Sequence, residues 1–322
     1  MKAVVLDGYS LNPGLFAEDL SWEALGKLAQ VTVFERTAPY QLLERIGNAE
    51  AIITNKVVID RQVMQALPQL KYIGVTATGY NVVDLLAAAE MDVVVTNIPA
   101  YGSSSVAQFV FAQILSMIQP VSYYHNKVQS GHWSKAPDFC FYDHAMLELA
   151  GLTLGVIGYG AIGQQVAKIA RAFDMKVCIY SRSQALELNP GMDYVEMTGL
   201  LHCSDFVSVH CPLTSDNAGF IDSQWLAQMK SSAFLINTAR GGLVNEKDLA
   251  DCLINKVIAG AALDVLSEEP PSLDNPLLDL PTCFITPHIA WATTAARKRV
   301  MAITVSNFKS FCLGVPVNQV LS

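Results

Sequence analysis

Residues 152–163 read LTLGVIGYGAIG, an apolar run that feeds directly into glycines at Gly158, Gly160 and Gly163. The run predicts a buried parallel strand, and 164–173, with Val166, Ile169, Ala170 and Phe173 at helical spacing, predicts a helix. A β-rich stretch, Lys176–Tyr180, follows and closes a βαβ unit. In such a unit the first glycine makes the tight turn, the second lets backbone approach a pyrophosphate, and the third lets helix and strand pack closely. The anion then rests on the free N–H groups of the helix start, here Ala161, Ile162 and Gly163. A glycine-rich turn without a ligand is the competing reading. The flanking strand, helix and second strand weigh against it.

A chain of 322 residues has room for two domains of ordinary size. Its 52% hydrophobic and 16% charged residues describe globular structure with much buried sheet, not disorder. The longest apolar stretch, 106–118, is interrupted by Gln108 and Gln113 and followed by Pro120, so it falls short of a membrane span. No basic-then-apolar leader precedes the first strand at 3–6, and a cytoplasmic location is expected. A net charge of −8 speaks against nucleic acid or anionic lipid as a partner. Seven cysteines without CxxC spacing read as reduced thiols. His202-Cys203 and His210-Cys211 invite a zinc reading, but neighbours on a strand point to opposite faces, so no metal is expected.

The first hundred residues alternate strand-like runs at 3–6, 31–34, 51–54, 72–75 and 93–96 with helix-like segments at 22–29, 40–46, 61–67 and 83–89. That alternation predicts a parallel sheet covered on both faces. Its first strand has no glycine fingerprint, so the dinucleotide is not assigned here. Asn97-Ile98-Pro99 breaks the pattern, and Ser103, Ser104 and Ser105 offer hydroxyls to cap a helix over 106–118. Two domains are expected: 1–98 joined by 290–322, and 99–289. The segment 129–149 is poorly periodic but carries Trp133, Phe139, Phe141 and Tyr142, which predicts packing on another subunit or on the neighbouring domain. Further strands are expected at 206–209, 233–237, 261–264 and 283–286, and helices at 224–229, 246–254 and 295–312, the last returning to the first domain. Pro212, Arg240, Asp264 and Pro287 fall at strand carboxyl ends, where open α/β sheets bind ligands.

Three segments each place one polar group at a strand-to-loop transition: NTARGG (237–242), LDVLSEEP (263–270) and TPHIAWAT (286–293). Arg240 can bind a carboxylate through two parallel N–H bonds. His288 can pass a proton to an oxygen that hydride arrival makes basic, work worth about 10²- to 10⁴-fold in rate. A neighbouring carboxylate would favour the imidazolium and fix its tautomer. His210 is the rival acid, and Glu268 the rival of Glu269. Trp291 and Tyr80 are candidates for lining a pocket or for packing between domains.

With LDGYSLNPG, GVTATGYNVVD, GYGAIG, SVHCPLT, NTARGGLVNE, ALDVLSEEP and TPHIAWAT in order, the chain resembles the D-isomer-specific 2-hydroxyacid dehydrogenases over essentially its full length. The likeness is greatest to their glycerate dehydrogenase (hydroxypyruvate reductase) branch. It implies an α/β chain of two doubly wound parallel-sheet domains, a Rossmann cofactor domain and a flavodoxin-like substrate domain. It further implies that Arg240 grips a substrate carboxylate, that His288 is the acid/base and that Glu269 is its partner. Backbone amides around Thr78 and Gly79 would face the substrate. Asp264 would hold the nicotinamide carboxamide, and Ser105, His210, Cys211, Pro212, Thr214, Thr238 and Ala239 would line the cofactor. The implied reaction is reversible reduction of a small 2-oxo acid, hydroxypyruvate or glyoxylate, by a homodimer. D-lactate formation from pyruvate and a non-catalytic, cofactor-sensing corepressor stay open as alternatives.

One departure concerns the nucleotide. Dinucleotide sites that select NAD place an Asp or Glu about 20 residues after the glycines, on the ribose 2′-hydroxyl. Ser181 occupies that slot here, followed by Arg182 and Ser183. An arginine pairs with a 2′-phosphate that a carboxylate would repel. NADP(H) is therefore the expected preference, with NAD(H) a possible second cofactor.

Overall fold

Strands β1 (Lys2–Val5), β2 (Gln30–Val33), β3 (Ala51–Thr54), β4 (Tyr72–Val75) and β5 (Val94–Thr96) pair in parallel in the order β2-β1-β3-β4-β5. β3 and β4 are buried at every residue, as continuous apolar runs must be when helices cover both faces of a sheet. The helices between them are short: α1 (Glu23–Gly26), α2 (Leu42–Ile46), α3 (Arg61–Gln65) and α4 (Leu85–Glu90). Asp60 and Asp84 start α3 and α4 by accepting the backbone N–H of Val63 and Ala87. The computed structural model describes residues 1–12, 20–183 and 187–321; Pro13 and Gly14 of the LDGYSLNPG motif lie outside the described residues.

The second sheet follows α5 (Ser103–Ile118) and α6 (Val121–Gln129). It comprises β6 (Thr153–Ile157), α7 (Ala161–Ala172), β7 (Lys176–Tyr180), β8 (Met192–Tyr194), α8 (Met197–Cys203), β9 (Phe206–Val209), α9 (Ser223–Leu226), β10 (Phe234–Asn237), α10 (Glu246–Ile254), β11 (Gly260–Leu263) and β12 (Cys283–Ile285). Its order is β12-β11-β10-β9-β6-β7-β8, all parallel. The chain winds outward from β6 through β7 to β8, then crosses back to β9 on the other side of β6. That reversal between β6 and β9 opens a crevice above the carboxyl ends of the two strands. α5 packs against α7 and closes a core with Val156, Ala167, Ala170 and Phe206.

The final helix, α11 (Thr294–Cys312), packs on β4, where Phe308 and Phe311 meet the fully buried Tyr72. The chain thus forms two units, Met1–Gly102 with Ala292–Ser322, and Ser103–Trp291. Among the described residues no single helix is long and apolar enough to cross a membrane.

Three local expectations need correction. The serines at 103–105 do not precede α5 as caps but form its first turn, because Ser105 is already buried with Val106 and Ala107. α7 begins at Ala161, directly after the second glycine, so the helix start itself faces the turn. α6, β8 and α8 were not expected at all. α6 buries none of its residues.

Candidate active site

Every sequence-derived cofactor residue between 158 and 264 lies at a loop or helix start beyond a carboxyl end of the second sheet. Gly158 has φ +94°, and a Cβ on it would meet the backbone of His210 and Cys211 at 2.8 Å. A Cβ on Gly163 would overlap the Gly158 carbonyl. Only glycine allows the turn, the 210–211 loop and α7 to close on one another. A Cβ on Gly160 would instead meet no atom within 4 Å, so this backbone faces open space at the N-terminus of a twelve-residue helix. Its first N–H groups, at Ala161, Ile162 and Gly163, are the ones that lack carbonyl partners in any α-helix.

Ser181, Arg182 and Ser183 follow β7, with Arg182 and Ser183 exposed. His210, Cys211, Pro212 and Thr214 follow β9. Asn217 ties that loop together, accepting from the Thr214 N–H at 2.7 Å and donating to the Pro212 carbonyl at 2.8 Å. His210 shares a 2.9 Å hydrogen bond with the Ser208 hydroxyl, and burial pushes its pKa down to about 3. A ring held neutral in this way is a poor proton donor at neutral pH. Thr238 and Ala239 follow β10. The Thr238 hydroxyl is buried and, among the described residues, has no hydrogen-bond partner. Such an orphan hydroxyl at the crevice, with the open Gly160 backbone and the start of α7, fits a bound dinucleotide.

The three residues expected to carry chemistry extend from adjacent strands. Arg240 follows β10 with an exposed side chain; Nη1 donates to the Ala239 carbonyl at 2.7 Å, and Asn237 Nδ2 donates to the Arg240 carbonyl at 2.8 Å. A Cβ on the next residue, Gly241, would overlap the Leu266 carbonyl, so the arginine loop lies directly against the 263–270 loop. The latter carries Glu269, whose Oε1 accepts the Leu266 N–H at 3.3 Å. Its Oε2 lies 2.7 Å from Nδ1 of His288, beyond β12. Both side chains are about one-third exposed, at 35% and 29%. Glu268 makes no such contact with the histidine.

Asp264, 1% exposed, holds this histidine loop. Its Oδ1 accepts from the Thr286 hydroxyl at 2.6 Å and the Ile289 N–H at 3.0 Å, and Oδ2 accepts from the Ala290 N–H at 2.8 Å. Its carbonyl accepts the His288 N–H at 2.8 Å. Burial raises the Asp264 pKa, while these donors and His288 work against the rise. His288 itself sits at φ +54°, a left-handed conformation that a non-glycine residue keeps only when neighbours hold it. Trp291 supplies one more tie, donating Nε1 to the His288 carbonyl at 3.0 Å. Thr286, Trp291 and Ser208 carried no sequence signal for these roles.

Three further expected residues belong to other elements. Ser105 is buried in the first turn of α5. Thr78 and Gly79 belong to the Met1–Gly102 unit, where the Thr78 hydroxyl donates to the Ile98 carbonyl and the Thr78 carbonyl accepts from Asn97 Nδ2, both at 2.8 Å.

Residues 111–290 match the family described as D-isomer specific 2-hydroxyacid dehydrogenase, NAD binding domain. The chain is 44% identical over 325 residues to a hydroxypyruvate reductase of Blautia hydrogenotrophica, covering 99% of each. It is 39% identical over 284 residues to a glycerate dehydrogenase of Methylorubrum extorquens, covering 88% of each. Among solved structures it resembles an acyclic imino acid reductase in complex with NADPH and D-Arg, with a TM-score of 0.84 and 29% identity over the whole of both chains.

Proposed function

The chain belongs to the D-isomer specific 2-hydroxyacid dehydrogenase family, and from that premise we propose that it reduces hydroxypyruvate or glyoxylate to the D-2-hydroxy acid. The observation that carries the reading is the 2.7 Å pair of His288, on a loop held by Asp264, and Glu269, one strand over from Arg240. Arg240 holds the substrate carboxylate, its guanidinium offering two parallel donors. His288 directs Nδ1–H at Glu269, which leaves Nε2 to protonate the substrate oxygen during reduction and to take the proton back in the reverse direction. Glu269 balances the imidazolium before transfer and fixes the ring's tautomer. A bound nicotinamide supplies the hydride that C2 receives. The glycine turn, the start of α7, Thr238 and the 210–214 loop hold that cofactor.

NADPH is the proposed preference, with NADH a second cofactor. Ser181 stands where a carboxylate would exclude a 2′-phosphate, and the exposed Arg182 offers it a cation. The related imino acid reductase was solved with NADPH, which supports the same side. A cytoplasmic homodimer completes the reading, supported by exposed Val121, Trp133, Phe139, Tyr142 and Met146 on one segment and by seven free cysteines.

The test is a panel of hydroxypyruvate, glyoxylate and pyruvate against NADPH and NADH. The reading expects turnover of the first two with the higher kcat/KM on NADPH. Faster pyruvate turnover would make this a lactate-forming enzyme. No turnover of any 2-oxo acid would leave a cofactor-sensing protein.

A further inference from the structure

Helix α5 presents a buried face of Val106, Ala107, Val110, Phe111, Ile114 and Ile118. Gln113 lies among them at 5% exposure. A buried amide costs free energy unless its polar atoms are bonded, and a leucine or methionine of similar volume would fill the same space. Gln113 nevertheless aims Nε2 at the Thr286 hydroxyl, 3.2 Å away, while its Oε1 is buried without a hydrogen-bond partner among the described residues. The amide therefore does not rest in the most satisfied arrangement that packing alone would choose.

The direction of these bonds is fixed by counting protons. Thr286 has one hydroxyl proton, and at 2.6 Å from Asp264 Oδ1 that proton goes to the carboxylate. Its oxygen can then only accept on the other side, which requires the amide nitrogen of Gln113 there and excludes the flipped orientation. Asp264 in turn accepts the N–H groups of Ile289 and Ala290 through its side chain and that of His288 through its carbonyl. The chain of donors runs from a helix distant in sequence to the three residues that set the His288 backbone at φ +54°. Hydrogen bonds in such a chain polarise and orient one another.

We propose that Gln113 is a positioning residue for the reduction: acting through Thr286 and Asp264, it holds the His288 loop in the conformation that presents the imidazole to substrate. The proposal rests on the reading of His288 as the acid/base. Gln113 touches neither His288 nor Glu269, and its effect passes through one threonine hydroxyl.

The experiment compares Gln113→Met, Thr286→Val and Thr286→Ser with the unaltered enzyme. It measures kcat and KM for hydroxypyruvate, NADPH affinity by fluorescence titration, and the thermal midpoint. Gln113→Met is expected to lower kcat roughly five- to tenfold, the rate equivalent of about one hydrogen bond, with KM, NADPH affinity and thermal midpoint little changed. Thr286→Val is expected to lower kcat at least as much, and Thr286→Ser, which keeps the hydroxyl, to restore it to within about twofold. A role in packing alone would move the midpoint and spare the kcat-against-KM split. An unchanged kcat in Gln113→Met, or equal losses in Thr286→Val and Thr286→Ser, would overturn the proposal while the function stood. If Gln113→Met failed to fold, the two Thr286 variants would decide between the same outcomes. An unaltered protein without turnover would overturn the functional reading and this inference together.

Discussion

Nδ1 of His288 lies 2.7 Å from Oε2 of Glu269, and the two residues reach each other from loops beyond adjacent strands, β12 and β11. In the proposed reduction the pair orders the acid and leaves its other ring nitrogen for proton transfer. His288→Ala is expected to lower kcat for reduction by about 10²- to 10⁴-fold, with a smaller change in KM. Glu269→Gln keeps a hydrogen-bond acceptor but loses the charge opposite the ring, so kcat for reduction should fall, though by less than in His288→Ala. Steady-state kinetics across pH check both; a fully active His288→Ala enzyme would sink the assignment.

Gly241 allows the arginine loop to lie against Leu266. A methyl group there must push the Arg240 loop away from the loop that carries Glu269. Gly241→Ala is expected to cost about 1–3 kcal/mol of stability through overpacking. Because misplacement of a binding group by about an ångström costs rate as well, kcat/KM should fall by about 10²-fold. Thermal denaturation and kinetics on the same preparation measure the two effects.

Arg182 follows β7, beside the serine that stands in the acidic slot. Arg182→Ala should reduce the ratio of kcat/KM for NADPH over NADH by about 10- to 100-fold, the worth of a hydrogen bond to a charged group. Ser181→Asp should move the ratio in the same direction by repelling the 2′-phosphate. A wild-type enzyme faster with NADH would refute the preference outright.

His210 is held neutral by burial, its pKa at about 3 against an ordinary 6.5. Between those values the unfolded chain binds a proton that the folded chain refuses. Stability is therefore full above the unfolded value and falls as pH drops toward the folded one, by at most about 1.4 kcal/mol per pH unit. His210→Gln should flatten this acid-side loss, seen as a weaker dependence of the thermal midpoint on pH between about 7 and 4.

Phe139 is 89% exposed and Tyr142 74% exposed on the segment that also carries Val121 and Trp133. If a second copy covers them, light scattering should give the mass of a dimer, and Phe139→Asp with Tyr142→Asp should give a monomer with its sheets intact by circular dichroism. A wild-type monomer would remove the proposal.

The sequence by itself determined every described strand but β8, and the order of the motifs. Ala51–Thr54, Tyr72–Val75 and Phe206–Val209 were legible to the residue, because a strand buried on both faces must be a continuous apolar run with abrupt ends, and Lys176–Tyr180 was legible from its β-rich composition after the glycine turn and helix. Residue type at a strand end offered Arg240 and His288 as candidates, and only the family resemblance singled out Glu269 over Glu268. α6 was not legible, and β8 was not, since an edge strand of three residues leaves almost no pattern.

Tertiary structure alone decided how the chemistry is held. Gln113 and Thr286 are 173 residues apart and meet through a single hydroxyl. Asp264 is committed to the amides of Ile289 and Ala290, and Trp291 is tied to the His288 carbonyl. Periodicity and spacing record which way a side chain faces along its own element. Hydrogen bonds between elements depend on where the parallel sheet brings distant strand ends together, and that placement is a property of the packed chain rather than of any segment of it.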